Sequence, residues 1–102
     1  MAPQPSRLQL DESPGRSVKA VGIIDSHTAD ELLAHLRNLG TDNDVRLDLT
    51  DIEFIDSSGL RSIVTAHQEL EEAGRRLVLS GLSESVQRLL EITGLTDHLN
   101  ID

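Results

Sequence analysis

Between Val45 and Gly74 the chain changes its hydrophobic period once, across a short polar turn. Val45-Arg46-Leu47-Asp48-Leu49 alternates apolar and polar residues, the period of a strand with one buried face. After the turn, Leu60, Ile63, Val64, His67 and Leu70 recur at helical spacing as far as Gly74. A strand that runs into a helix, each with one apolar side, must bury those sides against a common core, which places the chain among α/β architectures. The joining segment, Asp56-Ser57-Ser58-Gly59, sets two hydroxyls at a helix N-terminus. Backbone N–H groups at such an end lack intrahelical partners, and the helix dipole favours negative charge there. A phosphate esterified to one of these serines is therefore expected to be well accommodated.

The flanking sequence fills in the rest of a small α/β domain. Leu8 and Leu10 fall on one face of a strand over 7–12, and Ser13-Pro14-Gly15 reads as a turn into a second strand over 17–24. The short connection predicts an antiparallel hairpin. Apolar residues on both sides of the second strand (Val18, Ala20 and Ile24 against Val21 and Ile23) predict a more central place in the sheet. Thr28-Ala29-Asp30-Glu31 fits a capping box that opens a first helix with the stripe Leu32, Leu33, Leu36 and Leu39. A fourth strand is expected over 76–80, and a third helix, capped by Ser83, buries Val86, Leu89 and Leu90 and stops near Gly94. Residues 95–101 either add an edge strand or pack on the body. The expected order β-β-α-β-α-β-α gives a mixed sheet, and the clean alternation over 45–49 predicts helices mainly on one face. Residues 1–6 read as a flexible lead-in to a single domain over 7–102.

Composition narrows the function. The chain has 102 residues, a formal net charge of −9 and a single aromatic residue, Phe54. The charge disfavours phosphate backbones and anionic membrane surfaces, and the missing aromatics disfavour base stacking. No nucleic acid or membrane is therefore expected as a partner; a protein with a basic face is. There is no cysteine for disulfides or thiolate chemistry. His27, His35, His67 and His98 show no metal-binding spacing, so neither a metal nor a cofactor is expected, and His67 reads as a packed residue. A small serine hydrolase lacks its Gly-x-Ser-x-Gly elbow here, and there is no phosphate-binding Gly-x-x-x-x-Gly-Lys loop.

Three stretches together resemble the STAS family, and within it the free-standing anti-sigma factor antagonists of bacteria. They are Gly22-Ile23-Ile24-Asp25-Ser26-His27-Thr28-Ala29, the run from Leu47-Asp48-Leu49 through Asp56-Ser57-Ser58-Gly59-Leu60, and Leu79-Ser80-Gly81-Leu82 with the helix and Thr93-Gly94-Leu95 beyond it. The resemblance implies a STAS-like α/β fold and a partner switch. Ser58 is then the phosphorylation site, and Asp25, Asp56, Ser57, Ser58, Gly59 and Leu60 form the partner-binding surface. The implied partners are an anti-sigma factor that is also a serine kinase, and a PP2C-type phosphatase that resets the phosphorylated form. The chain itself is implied to be no enzyme and to act in the cytoplasm. A phosphoserine adds about −1.5 to −2 charges beside Asp56 and near Asp25. Moving a complex from nearly all bound to nearly all free needs roughly 5.5 kcal/mol of differential affinity.

Plainer readings stand beside these. Ser57 and Ser58 serve equally as helix caps, Asp56 as a satisfier of turn N–H groups, and Gly59 as a backbone requirement. The same fold also serves as an unphosphorylated scaffold or a transporter-associated regulatory subunit. Ile23 and Ile24 depart from the acidic-then-aliphatic pair common in the family. Arg61 adds a cation close to the turn, where it either offsets the phosphate or contacts solvent.

Overall fold

The structure, a computed structural model, describes residues 7–102. The expected lead-in over 1–6 lies outside the described residues. Eight elements follow in the order β1 (Leu8–Ser13), β2 (Ser17–Ile24), α1 (Ala29–Asn38), β3 (Val45–Ile55), α2 (Ser57–Glu72), β4 (Leu77–Leu82), α3 (Glu84–Thr93) and β5 (Asn100–Ile101). The sheet has the spatial order β1-β2-β3-β4-β5, with β1 antiparallel to β2 and every later pair parallel. The mixed sheet and the hairpin are as the sequence predicts, and of the two courses left open for residues 95–101 the structure shows the edge strand, β5.

Three crossovers, through α1, α2 and α3, each step one strand in the same direction along the sheet. Right-handed connections of that kind place all their helices on one face. Val18, Ala20, Ile24, Val45, Leu47, Leu49, Leu77 and Leu79 point into that layer, and Leu32, Leu36, Ile63, Leu70, Val86 and Leu90 meet them from the helices. The opposite face keeps Lys19, Arg46 and Asp51 in solvent, with Lys19 Nζ 2.8 Å from Asp51.

Strand β3 runs six residues beyond the predicted Leu49, and its course explains why alternation failed there. Its register with β2 shifts between Lys19 and Val21 and again between Gly22 and Ile23. Each irregularity inserts a residue into β3, so the adjacent residues Thr50-Asp51 and then Glu53-Phe54 are exposed in pairs without breaking the ladder. Gly22 is required at the second shift. Its φ is +114°, and a Cβ there would lie 2.2 Å from the Arg7 carbonyl oxygen. This close approach lets the Ile23 N–H donate to the Arg7 carbonyl at 3.0 Å, which brings Arg7 to the end of β2.

The capping box at Thr28 does not form. Thr28 is the N-cap residue of α1, but its hydroxyl turns back, donating to the Ile23 carbonyl at 2.8 Å and accepting from the Asp25 N–H at 2.9 Å. Tertiary closure of the β2–α1 turn takes the oxygen that local capping would have used. At α3 the expectation holds, because Ser83 Oγ accepts from the Val86 N–H at 3.2 Å and Gly94 ends the helix in the left-handed region.

Candidate functional site

Parallel strands β2 and β3 end side by side, with Ile24 paired to Ile55, so the turns that follow them are neighbours. The Asp56 N–H donates to the Ile24 carbonyl at 3.1 Å and joins the two. Here the structure brings together Asp25, Asp56, Ser57, Ser58, Gly59 and Leu60, which the sequence separates by some thirty positions.

Asp56, not either serine, is the N-cap of α2. Its backbone is extended (φ −110°, ψ −174°), and its Oδ1 accepts from the Ser58 N–H at 2.9 Å and the Gly59 N–H at 3.1 Å. The Leu60 N–H donates to the Asp56 carbonyl at 3.0 Å. Ser57 and Ser58 therefore lie inside the first helical turn rather than capping it. The consequence for a phosphate is direct: the Asp56 carboxylate already takes the Ser58 and Gly59 N–H groups, so the N-terminus is not the open anion cradle that the sequence suggested.

Ser57 is exposed and Ser58 half-buried, and neither hydroxyl has a hydrogen-bond partner among the described residues. Gly59 is buried for want of space. A Cβ there would lie 2.6 Å from Ile24 Cγ2, 2.8 Å from the Ile24 carbonyl oxygen and 2.9 Å from Ile55 Cγ1. Leu60 is in the core at 5 % exposure, so its side chain supports the turn from beneath instead of facing outward. Ser62 Oγ donates to the Ala29 carbonyl at 3.0 Å, binding the first turns of α2 and α1 together.

Asp25 is more enclosed. Its Oδ1 accepts from the His27 N–H at 2.9 Å and the Thr28 N–H at 3.2 Å, and its Oδ2 lies 2.9 Å from Arg7 Nη1. Burial alone would push this carboxyl up, but the two N–H donors and the Arg7 guanidinium together hold it below the usual carboxylate range. Nothing in the sequence announced the Arg7–Asp25 pair, because its partners are distant along the chain and meet only through the β1–β2 register.

Two open grooves flank the Ser58 turn. One, of about 240 Å³, lies between α1 and α2 and is bordered by Ser26, Asp30, Leu33, Ser58, Arg61 and Thr65. The other, about 620 Å³, runs between α3 and residues 52–55 of β3. Strand β4 stops pairing at Leu49, so this last stretch of β3 has a free edge. Phe54 (49 % exposed) and Ile92 (74 %) border it. The signal for an outward Phe54 was present in the sequence, since Phe54 and Ile55 are adjacent and a strand cannot bury both on one face. His67 is buried, its Nε2 3.1 Å from Glu71, in keeping with a packed residue. Among the described residues no cluster of potential ligands could hold a metal ion.

Comparison with known proteins agrees with this geometry. The family model described as the STAS domain matches residues 8–102. The anti-sigma-B factor antagonist of Listeria monocytogenes is 39 % identical over 82 residues, covering 78 % of this chain and 72 % of that one. Among solved structures, an anti-sigma factor antagonist from Mycobacterium paratuberculosis superposes with a TM-score of 0.76 at 22 % identity, over 92 % of this chain and 82 % of that one. The Bacillus cell fate determinant SpoIIAA in its phosphorylated form gives 0.67 at 21 % identity, over 93 % and 90 %. At those identities the two structures speak for the fold.

Proposed function

The chain belongs to the STAS domain family, and from that premise we propose that it is an anti-sigma factor antagonist switched by phosphorylation of Ser58. In the unphosphorylated form it binds an anti-sigma factor that is also a serine kinase, and so releases the sigma factor. Phosphate on Ser58 ends that binding, and a PP2C-type phosphatase restores it. The chain is then substrate and ligand, catalyses nothing, and works in the cytoplasm. Among the described residues no helix is long and apolar enough to cross a membrane.

One observation carries the reading. The Ser58 hydroxyl has no hydrogen-bond partner among the described residues, on a turn where the Asp56 carboxylate already holds the Ser58 and Gly59 N–H groups. The backbone of the turn holds this side chain in place, and its hydroxyl is left available. The named relatives support the antagonist role, and the phosphorylated SpoIIAA structure supports a fold that tolerates a phosphate. Asp25, Asp56, Ser57 and Ser58 give the partner surface its charge and hydroxyls, while Gly59 and Leu60 shape it from below.

Intact-mass and peptide mapping of the protein from its own host, growing and stressed, tests the switch. A single phosphoryl group on Ser58 whose occupancy changes between conditions is the expected result. An unmodified Ser58 in every condition, with a partner still co-purifying, would replace the switch with a constitutive scaffold.

A further inference from the structure

We infer that Arg61 is an internal receptor for the phosphoryl group on Ser58, closing onto it along the α2 wall of the α1–α2 groove. The inference rests on the phosphorylation reading above and adds what becomes of the charge. Ser58 and Arg61 are three residues apart on α2, which places them one turn apart on the same face, about 5–6 Å between Cβ atoms. Both border the same open groove of about 240 Å³, room enough for a phosphate.

The surroundings leave Arg61 as the available cation. Asp56 has already engaged the Ser58 and Gly59 N–H groups through its side chain, and its carbonyl holds the Leu60 N–H. Placed there, a phosphate faces Asp30 across the groove and Asp56 behind it, and both repel it. At the neighbouring turn Arg7 is committed to Asp25 and His27 lies beside the same carboxylate, while Arg37 and Arg16 sit toward the far end of α1, bonded to Glu69 and to backbone carbonyls. Arg61 is exposed and has no acidic partner among the described residues. Its planar fork of donors suits phosphate oxygens two at a time. Phosphorylation then does two things to a partner. It adds negative charge at the turn and withdraws the cation that the unphosphorylated surface displays.

The full chain carrying phosphoserine at position 58, introduced during translation, allows a direct test by phosphorus NMR titration through the second phosphate ionisation, near pH 6. The ionisation in the Arg61 protein is expected roughly half a unit lower than in Arg61→Gln. Arg61→Lys, which keeps the charge but not the fork, should fall between the two. Arg75→Gln, which removes an exposed cation elsewhere, should leave the ionisation unchanged. Equal ionisation in the Arg61 and Gln proteins, or an equal shift on changing Arg75, would overturn the proposal. If host protein proves never to be phosphorylated, the physiological switch fails while this titration difference stands, so the two ideas fail separately.

Discussion

The two turns beneath the candidate partner surface begin alike and end differently. Asp25-Ser26-His27-Thr28 leads into α1, and Asp56-Ser57-Ser58-Gly59 into α2. In each, the aspartate Oδ1 accepts from the N–H groups two and three residues on, at 2.9 and 3.2 Å in the first and 2.9 and 3.1 Å in the second. The first turn then adds a guanidinium, Arg7, and a threonine hydroxyl that ties back to β2. The second adds no side chain where the first has Thr28, only Gly59 pressed against Ile24 and Ile55. One aspartate turn is thus closed by polar bonds into a fixed strut. Its neighbour is closed by steric fit from below, which leaves its upper side, with Ser57 and Ser58, unbonded. The same backbone device serves as scaffold in one place and as a display in the other.

The two turns differ most at their fourth residue, Thr28 in one and Gly59 in the other. Giving the α2 turn the residue of the α1 turn, Gly59→Thr, sets a Cβ and two branches against the Ile24 carbonyl, and should cost about 3 kcal/mol by denaturant unfolding. A loss near zero would mean the close approach is not what holds this turn. In the other direction, Thr28→Val keeps the shape but leaves the Asp25 N–H without its acceptor, and should cost about 2 kcal/mol. Asp56→Ala removes the cap of α2 and should cost about 1 kcal/mol, visible as a lower melting temperature with the fold retained.

A smaller effect depends on pH and belongs to Asp25. The folded-state pKa of Asp25 is held below its unfolded value, so it contributes stability above the unfolded value, near 3.9. That contribution is lost as pH falls from about 4 through the lowered folded value. Asp25→Asn should therefore flatten part of the acid limb of a melting-temperature profile while also lowering its neutral plateau. Asp48 and Glu69 are held low as well, by Thr50 and Arg37 respectively, and keep some acid sensitivity in the variant. An acid limb identical in the two proteins would show that Arg7 and the turn N–H groups do not favour the charged form.

Most of the fold was legible in the sequence because it is written in local periodicity: the hairpin, the alternation over Val45–Leu49, the stripes of α1, α2 and α3, and the Ser83 cap. What escaped was set by contacts between distant segments. Strand β3 outruns its alternation because bulges against β2 absorb the extra residues, and Thr28 leaves its capping role because Ile23 offers a carbonyl. The site residues were legible as a motif, but not their division of labour. That Asp56 takes the turn N–H groups was among the readings the sequence offered; that it does so in place of both serines, with Leu60 buried, follows from backbone geometry at the β3–α2 junction, which composition and spacing do not encode.

The smallest expected effect on stability bears most on function. Ser58→Ala removes a hydroxyl that bonds to nothing among the described residues, so it should change unfolding free energy by no more than about 0.5 kcal/mol. Ser58→Asp places a carboxylate in the groove beside Arg61 and should stay within a similar margin, because that cation offsets part of the repulsion from Asp30 and Asp56. Calorimetric titration against the anti-sigma factor should nevertheless separate the two, with Ala binding like the unmodified chain and Asp much more weakly. Position 58 would then combine near-indifference to folding with control over binding, as a display turn requires and a strut does not. If instead Ser58→Ala proves as destabilising as Asp56→Ala, Ser58 is structural, and the contrast between the two turns collapses. If both variants fold and bind equally well, the contrast survives but the charge on Ser58 is not what a partner reads.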